Sequence, residues 1–423
     1  MGTPITINNL QIAPLYCTLE GKELYVDSIT LYTEEIDDLE EAAADLFEQA
    51  SAFAFRKNTL AILFAEEDTD FPGLYALLSE RWKFPVMGCT ALSMFLGKEG
   101  YCDIGISVLL LTADDCEFSV GMTDELNMGN YREAVSATYK ELSAALPSKE
   151  KLIISYGGLV NTEDDVGGDD RVNILNELSG GVPVYGAAAS DSFNFKNLRL
   201  FYNGKTSERG QVMALVAGNL NPRFICVNSI ENKSEFAYEV TEARGNQVFR
   251  LGNDTFIDTL RRENMVSDKT NVMADYLLSP FVVTVRKENG DSVQSARTLS
   301  VLNHENGSGS FLGVIPKDSV LGIGIISRDD VQHSIEEAVD RMLERLKESG
   351  QEYRTMLCTS CCARFLALAS NTRAEAQALQ NRIPPSIALL GMYSFGEYCP
   401  AVGNVTGTEY NLYHNFTFTI LAL

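Results

Sequence analysis

"KLIISYGG" (151–158) and "VPVYGAAASD" (182–191) decide how this chain is read. Each is a short apolar run that ends in glycine and small residues, and a segment of helical character lies between them. The same pair occurs twice more. "TLAILFAEE" (59–67) precedes "FPVMGCTALS" (84–93), and "TMLCTSC" (355–361) precedes "IALLGMYSFG" (387–396). Runs such as "LAILF" and "LIISY" are apolar on both faces, which predicts strands buried between two layers. The intervening helical segments fall at 71–81, 171–178 and 371–381.

Working outward, each set has a longer helix upstream with apolar residues at three- and four-residue spacing. These are "IDDLEEAAADLFEQASAF" (36–53), "NYREAVSATYKELSAAL" (130–146) and "DVQHSIEEAVDRMLERLKE" (330–348). Downstream lie the strands "IGISVLLLT" (104–112), "QVMALVAGN" (211–219) and "NFTFTILAL" (415–423). The expected fold class is α/β, with mixed sheets and outer helices. Three repeated helix-strand-helix-strand-strand units form two domains, 25–230 and 240–423, with a linker near 230–240. The pattern breaks at 230–320, which holds a helix at 253–264 and a series of strands. "KENGDS" and "NHENGSGS" in that stretch carry Asn-Gly steps that suit hairpin turns.

Length and charge bound the function. At roughly 150 residues per domain, 423 residues make two or three domains with ample core. A net charge of −24 is repelled by phosphate backbones and anionic lipid surfaces, and no basic cluster offsets it. Neither nucleic acid nor a membrane is an expected partner. The first residues lack the basic and apolar regions of a signal peptide. No apolar run approaches the roughly 18 residues that span a bilayer. Gly2 and Thr6 match a myristoylation pattern, but no polybasic patch follows to supply a second anchor. The expected location is cytoplasmic, where the nine cysteines are thiols. Cys17, Cys89, Cys226 and Cys399 sit singly and suit small buried hydrophobes.

The densest chemistry is "CTSCCARFLALAS" (358–370). A structural zinc site needs four ligands, and Cys358 with Cys361 makes only one CxxC, so no metal is expected. A redox pair at this strand-to-helix turn and a thiol nucleophile at Cys361 or Cys362 are the chemical alternatives. His414 is the candidate base for such a nucleophile. Thiols packed behind a pocket are the structural one. Arg364 is more telling, because a buried guanidinium needs an anionic partner. Glu397 is the expected one. Together they either form a structural ion pair or offer a fork for a carboxylate and an acid for an amine. Gly88, Gly186, Gly391 and Gly396 permit close backbone approach by a ligand, or serve turns and bulges. The acidic loop 161–170 lacks the ligand alternation of a calcium-binding EF-hand loop and suits a solvated surface.

"SCCAR" (360–364), "LLGMYSFGEYCP" (389–400) and "YNLYHNFTFTILAL" (410–423) resemble, in order and spacing, the C-terminal domain of the FIST family, named for F-box and intracellular signal transduction. "MGCTALS" (87–93) and "YGAAASD" (185–191) are similar to steps of its N-terminal domain, with Ala187 standing where the second glycine is usual. The resemblance spans roughly 25–423. It implies a cytoplasmic sensory module of signal transduction that binds a small ligand such as an amino acid or related zwitterion. No cofactor is implied. No kinase, receiver or cyclase segment is recognisable in the sequence, so output passes to a separate signalling protein. The residues expected at the ligand are Cys361, Arg364, Tyr393, Gly396, Glu397, His414 and Asn415. The alternative is a thiol-dependent hydrolase or transferase acting on a small amino-bearing substrate.

Overall fold

The computed structural model describes residues 26–158, 165–230, 232–267 and 269–423. Gly2, Thr6, Cys17 and positions 161–164 of the acidic loop lie outside the described residues, so the readings placed on them have no structural counterpart.

Three six-stranded sheets share one strand pattern. In the first, Asp27–Thr33 pairs with Ile106–Ala113, which pairs with Asn58–Ala65, all antiparallel. Asn58–Ala65 then runs parallel to Val86–Thr90. The second sheet repeats this with Cys116–Met122, Gln211–Gly218, Glu150–Gly157 and Val184–Ala188. The third uses Arg223–Asn228, Thr417–Ala422, Thr355–Cys361 and Ala388–Ser394. Helices connect the strands, and the fold is α/β as expected.

The continuous apolar runs are explained by what covers each face. Successive side chains of a strand point to opposite sides. Leu60, Ile62 and Phe64 enter a core shared by all three sheets, where Tyr156, Tyr185, Phe95 and Phe418 also lie. Ala61, Leu63 and Ala65 face the other way, onto Ala42, Leu46, Leu74 and Leu78 of the flanking helices. Those helices are stopped locally. Asp38 caps Leu39–Ala50 by accepting from the amides of Glu40 and Glu41. Ser327 and Asp330 form a capping box at the start of Arg328–Ser349, and Gly350 ends that helix in the left-handed conformation.

Each sheet is completed by a hairpin from another unit. The hairpin of Met94–Leu96 and Gly100–Cys102, from the first unit, extends the third sheet. Leu200–Tyr202 and Lys205–Ser207, from the second, extend the first sheet. Glu397–Val402 and Glu409–His414, from the third, extend the second sheet. The exchange closes a ring, so residues 94–102 share a sheet with residues 355–361.

The conserved geometry of the join explains the glycines noted in the sequence. Gly88 pairs directly across from Phe201, Gly186 from Tyr398 and Gly391 from Phe95. At all three positions the aromatic ring belongs to the exchanged hairpin. A Cβ at Gly391 would lie 1.8 Å from the Phe95 ring, and one at Gly88 would lie 3.0 Å from the ring of Phe201. The bare backbone at these two positions lets the facing ring lie close against the sheet. At Gly186 the need is different: its φ is +146° and a Cβ there would meet the Ser155 carbonyl oxygen at 1.8 Å.

One expectation is corrected. The segment near 230–240 is no linker: it enters the strand Asn232–Arg244 of an eight-stranded sheet. That sheet, built from residues 232–325, is inserted between the edge strand Arg223–Asn228 and the helix Arg328–Ser349 of the third unit. It has its own core around Phe236, Phe256, Phe281 and Phe311. Among the described residues, no helix is long and apolar enough to cross a membrane.

Candidate functional site

Arg364 is fully buried, and its partner is Glu375 rather than Glu397. Its Nη2 and Nε donate to Glu375 Oε1 at 2.6 and 2.9 Å. The remaining donors reach the hydroxyls of Ser229, Ser334 and Ser360 and the carbonyl of Val331, and the guanidinium lies over the Phe418 ring. Glu375 also accepts from Ser360 Oγ at 2.8 Å. The group that was to fork a ligand carboxylate instead locks the helix Ala374–Arg382 and the helix Arg328–Ser349 onto the third sheet. It lines no cavity. Tyr393, Gly396 and Asn415 are likewise buried: Tyr393 packs on Phe95 and Phe365, a Cβ at Gly396 would strike Tyr413, and Asn415 donates to the Tyr413 hydroxyl.

The CxxC does not act as a unit. Cys358 enters the central core, whereas Cys361 faces a separate cluster with Ile326 and Phe416. Burial pushes the thiols of Cys358, Cys361 and Cys362 well above the ordinary range, and the Glu397 carboxylate adds to this at Cys361 and Cys362. Among the described residues, no group of three or more His, Cys, Asp or Glu is placed to hold a metal ion.

A different line of residues leads to open space. Glu397 and His414 are paired directly across the exchanged hairpin. Glu397 accepts from Ser394 Oγ at 2.9 Å and from Thr417 Oγ1 at 2.7 Å. His414 Nε2 donates to the Cys399 carbonyl at 3.0 Å, and the same ring lies beside the sulfur of Cys226, with the Cys399 sulfur and the Thr417 hydroxyl also close to it. Cys226 is the one cysteine of the eight described that is not fully buried. The hydrogen bond from Cys399 draws the Cys226 thiol well below the ordinary range; burial opposes this, and His414 and Thr417 add to it. Burial works against protonating His414, but the charge and hydrogen bond of Cys226 outweigh it and shift the imidazole upward. The thiol of Cys226 and the imidazole of His414 are thus shifted toward their charged forms together, with the Cys399 carbonyl holding the ring in place.

This pair sits on the wall of a cavity of about 430 Å³. Asn228 and Cys226 come from the edge strand of the third unit, and Asn404 and Glu409 from the exchanged hairpin. Ser292, Gln294 and Ser295 come from the inserted sheet, and Arg341 and Arg345 from the long helix. The cavity therefore lies on the seam where three parts of the fold meet. Arg345 donates to the Phe224 carbonyl at 2.8 Å, and no carboxylate pairs with it among the described residues. Arg341 pairs with Glu337 at 3.3 Å on the exposed side of the helix.

Residues 59–254 match the FIST N domain and residues 258–400 match the FIST C domain. The protein belongs to the FIST family. FIST domains are sensory domains of signal transduction. The boundary between the two matches falls inside the inserted sheet of this FIST chain. Among solved structures, a chorismatase is similar over 94% of this chain and 97% of its own, at 12% identity and a TM-score of 0.37. PurLQS from Thermotoga maritima is similar over 95% of this chain and 73% of its own, at 8% identity and a TM-score of 0.21. No curated protein matches the FIST chain in sequence.

Of the expected site residues, the FIST fold brings Cys361, Glu397, His414 and Asn415 near one another, but only His414 reaches the cavity. Cys226, Arg341 and Arg345 were missed. Cys226 stands in "RFICVNS", an ordinary strand pattern, and its partners lie more than a hundred residues away. The arginines look like the solvated face of an amphipathic helix. Their spacing of four residues, one helical turn, was the available signal.

Two outcomes follow for stability. Arg364→Ala leaves Glu375 buried and unpaired and is expected to cost about 3–5 kcal/mol in urea unfolding, whereas Arg364→Met with Glu375→Gln recovers most of that loss. An equal loss in both variants would contradict the pairing. Burial pushes the Glu397 carboxyl up to about 7, against hydrogen bonds from Thr417 and Ser394 and the charge of His414. Its folded pKa lies above the unfolded value, so its stabilising contribution is complete below the ordinary 4.5 and is lost as pH rises through about 7. Glu397→Gln is expected to remove that dependence, gaining on wild type by about 3 kcal/mol between the acidic and alkaline ends of the window. Parallel stability–pH curves for the two proteins would contradict it.

Proposed function

We propose that this FIST protein is a cytoplasmic sensory module that binds a small zwitterion of the amino-acid class in the cavity on the seam and passes its signal to a separate protein. The observation that carries this reading is Arg345, lining one polar cavity with no carboxylate partner among the described residues in a chain of net charge −24, with Arg341 one turn away on the same wall. A carboxylate meets Arg345, whose charge no carboxylate of the described chain neutralises, and an ammonium meets Glu409 on the opposite strand. Asn228, Ser292, Gln294 and Asn404 supply neutral donors and acceptors around both ends. The site differs from the one expected at Arg364, but the ligand chemistry is the same.

The cavity wall is made by the inserted sheet and the exchanged hairpin as well as by the third sheet. A ligand that bridges them stabilises their packed arrangement, and this is the simplest route from binding to a change that a partner reads. The alternative, a thiol-dependent hydrolase or transferase, moves from Cys361 or Cys362 to Cys226, the thiol that His414 touches. Cys226→Ser separates the two readings: it preserves binding by a sensor and abolishes turnover by an enzyme.

Thermal unfolding with a panel of amino acids, their amides and their esters is the test. At least one free amino acid should raise the midpoint, and its carboxyl-blocked form should not. Arg345→Ala should weaken that binding by about 2–5 kcal/mol, the cost of losing one partner of a desolvated charge pair. Stabilisation by the blocked forms to the same degree, or by none of the panel, would contradict the proposal.

A further inference from the structure

Cys226 and Cys399 are set up for a chemistry that ligand binding does not use. Cys226 lies on the edge strand Arg223–Asn228 and Cys399 on the exchanged strand Glu397–Val402, so the two belong to different sheets. The Cys399 thiol donates to the carbonyl of Ile225, the residue beside Cys226, at 3.7 Å, which puts its sulfur next to that of Cys226. Access is unequal. Cys226 lines the cavity and is partly exposed, whereas Cys399 is completely buried behind it. A small reagent entering the cavity therefore meets Cys226 first and leaves Cys399 untouched.

We propose that Cys226 is a hydroperoxide-reactive thiol and Cys399 its resolving partner, so that oxidation joins the third sheet to the exchanged hairpin through a Cys226–Cys399 disulfide. The thiolate is the reactive form of cysteine, and the His414, Thr417 and Cys399 contacts favour it. In the first step the Cys226 sulfur attacks the terminal oxygen of a hydroperoxide. An S–O bond forms, the O–O bond breaks, and the leaving oxygen takes a proton from the His414 imidazolium. Cys226 becomes a sulfenic acid, and the peroxide is reduced to water or an alcohol. In the second step the Cys399 sulfur attacks that of Cys226. The S–S bond forms, the S–O bond breaks, and the hydroxyl leaves as water with the Cys399 proton. The two thiols have then supplied the two electrons the peroxide required. The proposal concerns a modification of the cavity wall and does not rest on the identity of the bound zwitterion.

The test treats the full chain with hydrogen peroxide and maps its cysteines by mass spectrometry without reduction. Wild type should yield a peptide pair joined through Cys226 and Cys399, lighter by two hydrogens and separated by dithiothreitol. Cys399→Ser should instead accumulate a Cys226 sulfenic acid that dimedone traps. Cys226→Ser should leave Cys399 reduced. Before oxidation, iodoacetamide should alkylate Cys226 about tenfold or more faster than any other cysteine at neutral pH. Any of three results would overturn the assignment: alkylation of Cys226 no faster than the rest, a Cys226 disulfide to another thiol, or wild-type Cys226 carried to sulfinic acid while Cys399 stays reduced. Binding of amino acids is measured separately and can fail without altering any of these results.

Discussion

The exchange of hairpins among three sheets holds this molecule together. Each parallel strand pair ends its sheet with an exposed edge, and an open edge is a liability. Here each edge is covered by a hairpin from another unit, with Phe95 paired across from Gly391, Phe201 from Gly88 and Tyr398 from Gly186. The cross-strand ring buries apolar area against backbone that carries no side chain. Because the exchange is cyclic, no sheet is complete without a second unit, and the inner faces of all three converge on one core.

The cavity is a consequence of that arrangement. The hairpin that completes the second sheet is contributed by the third unit, and its strand Glu397–Val402 lies against the third unit's own edge strand. Cys226, Cys399 and His414 meet there. The inserted sheet then closes the remaining side and brings neutral polar groups, while the long helix brings arginines. Charge placement follows burial. Arg364, with no solvent access, is satisfied by Glu375, three hydroxyls and a carbonyl and has no donor left for a ligand. Arg345, at the cavity, has one carbonyl partner and keeps its charge available.

Much of the fold was legible because its signals are local. Apolar runs of strand length, helices with an apolar stripe and Asn-Gly turns need no distant partner to be recognised. The hairpin exchange was not legible. Met94–Leu96 is only three residues long, and nothing within "MFLGKEGYC" says which of three similar sheets it joins. At the site, Glu397 and His414 carried a signal because they stand in a recognisable order near the end of the chain. Pairing Arg364 with Glu397 failed for a geometric reason. Glu397 lies on the strand that leaves for the second sheet, whereas Glu375 lies on the helix that packs beside Arg364. Cys226 could not have been singled out, because its acidity comes from three groups distant in sequence.

The measurement that tests the exchange most directly is a double-mutant cycle on Gly391→Ala and Phe95→Ala, read as unfolding free energy in urea. If the ring of the first unit's hairpin sits on the glycine of the third sheet, adding a methyl group at Gly391 is costly only while that ring is present. Gly391→Ala alone is then expected to cost about 1–3 kcal/mol, and most of that cost should vanish in the Phe95→Ala background. Costs that add to within about 0.5 kcal/mol would place the two residues apart and contradict the cyclic exchange on which the cavity depends.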